Sequence, residues 1–232
     1  MSVSRIAPLS ADDLIFSDFD GTISVLDTGI AVIDALELDE AWEIEDVWRR
    51  GEIDSMECLS RQWAMVKLSP EKLCDLLDSF KIREDFPQFL NFVKERQARI
   101  VVVSDGLDFY VDRMLEHIGI TTCEGKQVLE PESDCLPRLS NHAEVTEDGV
   151  KITFPHRTPV CSQCGNCKLH YLFNFRQHFK RIIYIGDGHS DKCPARYADV
   201  LFARSHLAEE AVKQGIDFIP FENFEDIMAV LR

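Results

Sequence analysis

The sequence has little positive charge. Over 232 residues, 25 lysines and arginines stand against 41 aspartates and glutamates, a formal net charge of -16. That balance repels nucleic acid backbones and anionic membrane surfaces, and no basic stripe offsets it, so neither is an expected partner. Long apolar runs are also missing. None approaches the ~20 residues of a membrane-spanning helix, and the N-terminus lacks the basic-then-apolar order of a secretory leader. The expected compartment is therefore cytoplasmic. Repeats, low-complexity tracts and flexible linkers are absent as well. What is present is a chain that is 45% hydrophobic. Its length suits one α/β domain with an insertion, or two small domains. The eight cysteines, in such a compartment, read as reduced thiols.

Leu14–Ser17 is a short apolar run ending in Asp18-Phe19-Asp20-Gly21-Thr22, a buried strand running into a sharp turn. From Thr28 to about Phe80 apolar residues recur at three- and four-residue spacing, punctuated by Gly51 and Ser69-Pro70; about four short helices are expected. Beyond Ile82 the pattern turns α/β. Phe86–Glu95, Phe109–His117 and about Lys168–Phe179 read as helices. Ile100–Val103, Ile182–Ile185, Val200–Ala203 and Phe218–Ile219 read as strands. Ala143–Phe154 reads as a hairpin turning at Asp148-Gly149. Strands alternating with helices imply a mostly parallel sheet covered on both faces, with the site outside the carboxyl ends of the strands. Polar clusters follow three of those ends, after Ser17, Val103 and Ile185.

Asp18 and Asp20 are two apart on extended backbone, so both carboxylates face one site. One can act as a nucleophile toward phosphorus and the other as general acid and then base. Gly21 allows a tight turn that would bring amides to phosphate oxygens. Read alone, Asp-x-Asp is more often a pair of turn aspartates. Gly186-Asp187-Gly188-His189-Ser190-Asp191 also follows an apolar strand. Its carboxylates suit Mg²⁺, which takes oxygen ligands, and alone it could be a helix cap. Ser104, followed by Asp105 and Gly106, can donate to a phosphate oxygen or cap a helix. Lys168 is a surface lysine or the cation a phosphate site requires in so acidic a protein.

Taken together, Asp-x-Asp-Gly-Thr, a strand-end Ser, a helix-start Lys and Gly-Asp-Gly-x-x-Asp, in that order, resemble the haloacid dehalogenase superfamily of phosphohydrolases over nearly the whole chain. The resemblance implies a Rossmann-like α/β core (1–24 and 82–232) with a mostly parallel sheet, and a small α-helical cap inserted at 25–81. It implies Asp18 as nucleophile, Asp20 as acid/base, and Thr22, Asp27, Ser104, Asp105, Gly106 and Lys168 around the substrate. Asp18, Asp20, Asp187 and Asp191 would form the Mg²⁺ site, Asp20 through its carbonyl and Asp191 from the surrounding shell. The position of the insertion is similar to the phosphoserine phosphatase-like branch. Within it, Phe154-Pro155-His156 followed by Cys161-x-x-Cys164-x-x-Cys167-Lys168 is similar to the methionine-salvage phosphatases that act on 2-hydroxy-3-keto-5-methylthiopentenyl-1-phosphate. Phosphoserine enzymes carry a cap arginine for the substrate carboxylate; here Gln62 stands at that place, beside Arg61. Arg49, Arg50 and Arg61 are candidates for gripping another substrate.

Cys161, Cys164 and Cys167 have metal-ligand spacing but number three, so a structural Zn²⁺ would need His156, His170, Cys123, Cys135 or Cys193 as fourth ligand; buried thiols or a redox pair are the alternatives. The expected function is hydrolysis of a small phosphorylated metabolite by a monomer or homodimer, with phosphotransfer, phosphate binding without turnover, and a zinc-knuckle nucleic acid binder as rivals. All the presumed catalytic groups being present disfavours the second, and the charge disfavours the third.

Overall fold

The computed structural model describes residues 6–130, 134–159 and 161–232. In chain order the elements are β1 (Asp13–Ser17), α1 (Thr28–Ala35), α2 (Asp39–Arg49), α3 (Ser55–Trp63), α4 (Pro70–Asp78), α5 (Phe86–Glu95), β2 (Arg99–Leu107), α6 (Asp108–His117), β3 (Thr122–Glu124), β4 (Leu136–Thr146), β5 (Gly149–Thr153), α7 (Lys168–Arg176), β6 (Arg181–Gly186), α8 (Lys192–Ala195), β7 (Val200–Ala203), α9 (Ser205–Gln214), β8 (Ile219–Pro220) and α10 (Phe224–Leu231). Among the described residues the strands form one eight-stranded sheet in the order β3-β4-β2-β1-β6-β7-β8, with β5 paired to β4. Every pairing is parallel except β4 with β5.

Alternation along the strands sends successive side chains to opposite faces. Ile15, Val102 and Ile183 join a core with α5, α6 and α10. Leu14, Phe16, Val101 and Tyr184 join the other with α7 and α9. Leu14, Ile15 and Phe16 are all fully buried, each contributing about 1.5–3 kcal/mol. At the lower end of β1, Asp13 and Arg181 form a two-pronged pair, Nε–Oδ1 2.8 Å and Nη2–Oδ2 2.5 Å, that joins β1 to β6.

The helices α1–α4 form between β1 and α5, where the 3.6-residue apolar pattern requires them. Asp54 and Ser69 cap α3 and α4, and Pro70 opens α4. The two chain crossings into this insert lie side by side. Ser24 bridges Ile82 in antiparallel fashion, and Val25 N–H donates to Lys81 O at 2.9 Å.

Three expectations are corrected. The strand expected to end at Val103 continues to Leu107 with a register shift, so Ser104, Asp105 and Gly106 lie within β2 rather than in a turn after it. The hairpin strand expected from Ala143 begins at Leu136, because its first half pairs in parallel with β2 and β3. The cysteines are not all reduced thiols: Cys123 and Cys135 are disulfide-bonded, Cα–Cα 5.8 Å, across the β3–β4 crossover.

Candidate active site

β1, β2 and β6 are adjacent and parallel, so their carboxyl ends deliver three polar clusters to one edge of the sheet. Asp18 leaves β1 with its amide bonded to Ile185 O at 2.9 Å. Its Oδ1 accepts from Phe19 N–H at 2.8 Å and from Lys168 Nζ at 2.7 Å. Its Oδ2 accepts nothing among the described residues and faces the cleft. Burial first, and Asp191 second, push this carboxyl well above the ordinary carboxylate range, with Lys168 acting against them.

Asp20 is held from three elements. Thr28 N–H donates to Oδ1 at 3.0 Å, and Ser104 Oγ and Tyr110 OH donate to Oδ2 at 3.1 and 2.8 Å. Tyr110, on α6, was not foreseen; nothing in its sequence context separates it from a core aromatic, and it does stack on Trp63. Gly106 is glycine because a Cβ there would lie 1.6 Å from the Tyr110 hydroxyl and 2.7 Å from Asp20 Oδ2.

Lys168 is 2% exposed and reaches Asp191 Oδ1 at 2.6 Å as well as Asp18. Burial alone would lower its pKa, but the two carboxylates hold it above the ordinary lysine value. Asp191 also accepts from Tyr184 OH at 2.6 Å and, through Oδ2, from the amides of Asp187 and Gly188 at 3.1 and 3.0 Å. Its burial works against ionisation, yet Lys168 and these donors keep it below the ordinary range. Four donors fill the acceptor positions of a carboxylate. Among the described residues Asp187 accepts only from Thr22 Oγ1, at 3.0 Å on Oδ1, and burial followed by Asp191 pushes its carboxyl up to about 7.

Asp18, Asp187 and Asp191 offer ligand oxygens that all lie within 4.8 Å of one another. Among the described residues Asp18 Oδ2, Asp187 Oδ2 and the Asp20 carbonyl accept no hydrogen bond. Three unpartnered oxygens around buried carboxylates fit a hard divalent cation such as Mg²⁺; Asp191, whose acceptors are filled, instead fixes Lys168.

Some residues serve differently from expectation. Thr22 is fully buried and its hydroxyl holds Asp187, so it does not face a substrate. The amide of Gly21 is engaged with Leu26 O and Ser24 Oγ at 3.2 and 3.1 Å. The residue is glycine because φ is +72° and a Cβ would meet Asp187 Oδ2 at 2.3 Å. Asp105 lines the cleft, but its Oδ1 accepts from Asn166 N–H at 2.8 Å and Asn141 Nδ2 at 3.2 Å. Asp27 caps α1 through Ile30 N–H at 3.0 Å and borders the cleft. Arg83, also unforeseen, supports the loop after Asp20 by donating to Thr22 O at 2.9 Å and Gly21 O at 3.3 Å.

The cleft between the strand ends and the insert holds about 250 Å³. From the insert Ile30, Trp48, Arg49, Leu59 and Gln62 line it, and from the core His189 and His206. Trp48 meets His189 edge-on at 5.7 Å. Of the three candidate arginines only Arg49 lines the cleft, with Nε on Glu45 at 3.0 Å. Arg50 and Arg61 form exposed pairs with Glu52 and Glu57. Gln62 is buried, donating to Ala41 O at 3.2 Å and Glu45 Oε2 at 3.1 Å.

The zinc expectation is not supported. Among the described residues the acidic trio is the one group of three metal-binding side chains whose ligand atoms lie within 4.8 Å of one another; Cys161, Cys164 and Cys167 do not meet that spacing, although Cys161 adds to the rise that burial imposes on the Cys164 and Cys167 thiols. The fourth-ligand candidates are otherwise engaged: Cys123 with Cys135, His156 with Tyr171 OH at 2.6 Å, and His170 with Asn174 at 2.9 Å. Cys193 is exposed.

The model of the family described as Putative Phosphatase matches residues 13–214. The 2-hydroxy-3-keto-5-methylthiopentenyl-1-phosphate phosphatase of Bacillus pumilus is 30% identical over 220 residues, covering 93% of this chain and 89% of that protein. The protein of the same name from Bacillus velezensis is 28% identical over 218 residues, covering 92% and 87%. Among solved structures, a haloacid dehalogenase (HAD) family hydrolase from Salmonella enterica serovar Typhi superposes with TM-score 0.73 at 20% identity, covering 97% of this chain and 72% of that one. A phosphoserine phosphatase captured as a phospho-aspartyl intermediate analogue gives 0.69 at 18% identity, covering 94% and 98%.

Proposed function

This chain belongs to the Putative Phosphatase family and is a phosphomonoester hydrolase with the fold of the haloacid dehalogenase hydrolases; we propose that it works through a phosphorylated Asp18, with Mg²⁺ held by Asp18, Asp187 and the carbonyl of Asp20. The observation that carries this reading is the asymmetry of Asp18: one oxygen is pinned by Phe19 N–H and Lys168, and the other is bare toward the cleft. Oδ2 attacks phosphorus, the bond to the leaving oxygen breaks, and Asp20 delivers the proton that oxygen needs. Asp20 then takes a proton from water as it attacks the aspartyl-phosphate, releasing phosphate and restoring Asp18. Ser104 and Tyr110 hold Asp20 in place for both transfers. Lys168 opposes the rise that burial and Asp191 impose on Asp18 and neutralises charge shared with the phosphate, and a bound cation would favour the ionised carboxylate further. A bound divalent cation would offset the repulsion between carboxylates and phosphate, about 4 kcal/mol per pair of unit charges ~4 Å apart at an effective dielectric of ~20.

Residues 25–81 serve as the cap, whose closing would exclude bulk water and whose inner face selects the leaving group. The named substrate of the curated relatives, 2-hydroxy-3-keto-5-methylthiopentenyl-1-phosphate, is the substrate we assign. The apolar wall of Ile30, Leu59 and Trp48 suits its thioether end, and Arg49 suits its oxygens. Phosphoserine is the second reading, favoured by Asp27 at the cleft, which stands nine residues after Asp18 as an acidic residue does in the phosphoserine enzymes this sequence resembles, and opposed by Gln62, whose amide is turned into the insert.

Rapid acid quench with ³²P-labelled substrate tests the mechanism. Label should accumulate on protein, be released by hydroxylamine, and vanish in Asp18→Asn along with turnover. Appreciable turnover by Asp18→Asn would refute nucleophilic catalysis at this position. A panel of the methylthiopentenyl phosphate, phosphoserine and sugar phosphates, with and without Mg²⁺, tests the substrate.

A further inference from the structure

A set of polar contacts lies between the insert and the phosphate end of the cleft, and the chemistry above makes no use of it. The segment from Gln163 to Asn166 leads directly into Lys168, whose own amide bonds Asn166 O at 3.0 Å. This segment is gripped from two sides. On the insert side, Ser55, the first residue of α3, donates its amide to Gln163 O at 3.0 Å and accepts from Gly165 N–H through its hydroxyl at 2.9 Å. On the core side, Asp105 in the last part of β2 accepts from Asn166 N–H at 2.8 Å, and Asn166 Nδ2 donates to Ser104 O at 2.8 Å and Leu139 O at 2.7 Å. The Ser55 hydroxyl also acts on the Asp105 carboxyl, opposing the rise that burial imposes on it, so the two grips adjoin. Gly165 has no room for a side chain: a Cβ would lie 2.6 Å from Phe154 Cδ1 and 3.0 Å from Asn141 Oδ1.

We propose that Ser55 and Asp105 are positioning residues that act as one unit, clamping residues 163–166 so that seating of the helical insert sets Lys168 and Ser104 for the transition state. Two adjacent amides, Gly165 and Asn166, are held by groups that belong to different parts of the molecule. When the insert lifts, the Ser55 grip is lost, and the segment delivering Lys168 keeps only its core-side bonds. The chemical groups are then fully assembled only when the cleft is covered. Neither residue touches the leaving group in this role, so its signature is a loss shared by every substrate. A residue that bound substrate directly would discriminate between leaving groups.

The inference rests on the phosphatase reading. The test compares wild type, Ser55→Ala, Asp105→Asn and the double variant, each with Mg²⁺. The substrates are phenyl phosphate, phosphoserine and a sugar phosphate, for which kcat and KM are measured separately. Each single change should lower kcat about 10- to 100-fold, the usual cost of a small misplacement of catalytic groups. The factor should be the same on all three esters, with KM moving less than about two-fold, and the double variant should lose no more than the worse single. Losses that differ between esters, or a double variant whose loss is the product of the singles, would overturn the proposal. Ser55→Ala removes one oxygen from the insert and carries the comparison between esters by itself if Asp105→Asn does not melt cooperatively. A wild type that hydrolyses none of the esters would overturn the phosphatase reading and this inference with it; turnover with uncoupled variants would overturn this inference alone.

Discussion

Removing the charge of Asp187 should make the metal-free protein more stable, and by an amount the structure bounds. Burial, then the proximity of Asp191, pushes this carboxyl from 3.8 up to about 7. At about 1.4 kcal/mol per pH unit, that gap corresponds to about 4 kcal/mol against ionised Asp187 in the fold. The side chain is partly open to the cleft, and solvent screening brings the working figure to about 2–4 kcal/mol. Between the unfolded value and about 7 the folded chain holds a proton here that the unfolded chain has released, so stability falls as pH rises through that window. Below it the penalty is absent; above it the penalty is complete. Asp187→Asn keeps an oxygen for the Thr22 hydroxyl and loses the charge. Urea unfolding in EDTA should therefore find the variant about 2–4 kcal/mol more stable than wild type at pH 8, and close to it at pH 4. Added Mg²⁺ should stabilise wild type at pH 8 and do much less for the variant, which should also have lost turnover. A variant no more stable than wild type at pH 8 in EDTA would refute the claim that this carboxylate is strained without a cation.

Gly106→Ala should lower kcat at least about ten-fold, because the new methyl displaces the Tyr110 hydroxyl from Asp20; adding Tyr110→Phe should relieve the clash and recover melting temperature without recovering kcat. Asp13→Ala should cost about 1.5–3 kcal/mol by urea unfolding, since it removes the carboxylate from a half-buried Arg181 and leaves that guanidinium only the carbonyls of Ala7 and Pro8 at the β1–β6 joint, while kcat stays within about two-fold because the joint lies at the opposite end of the strands from Asp18. Metal analysis of protein purified without a histidine tag should find less than one zinc per chain, and titration of the unfolded, unreduced chain should count six thiols.

The central strands and the insert's helices were legible because each announces itself locally. β1, β6 and β7 are unbroken apolar runs, as strands buried on both faces must be, and α1–α4 carry a helical period with capping residues at Asp54 and Ser69. The first half of β4 was hidden because Pro137 and Arg138 interrupt its apolar pattern. The structure accepts both: Pro137 sits at the second position of the strand, and Arg138 is paired with Asp112 at 2.6 Å through each of two nitrogens. β3, three residues long, is too short for any period to register. In the site, Asp18, Asp20, Ser104, Lys168, Asp187 and Asp191 were legible from order and spacing. Tyr110, Arg83, Asn141 and Asn166 were not, since they act through contacts between elements distant in sequence. The Cys123–Cys135 bridge was missed for the same reason: only the parallel pairing of β3 with β4 brings the two thiols together.

The placement of Lys168 explains how so acidic a protein can accept a phosphate ester. A lysine that is 2% exposed would cost several kcal/mol to bury alone, so it must be matched by carboxylates, and it is matched by two. Asp191 is the structural partner. It is fully buried and saturated by Lys168, Tyr184 and two amides, and it cancels the ammonium charge without reaching the cleft. One ammonium shared between Asp191 and Asp18 leaves most of the negative charge of Asp18 and Asp187 uncompensated at the strand ends. The site therefore remains short of positive charge by about what one divalent cation supplies, which is why burial raises both carboxyls rather than relaxing them. Stability and catalysis thus pull against each other in the same two side chains. A neutral residue at either position would suit the apo fold better, while the bare oxygens of Asp18 and Asp187 are what a cation and a phosphorus atom require.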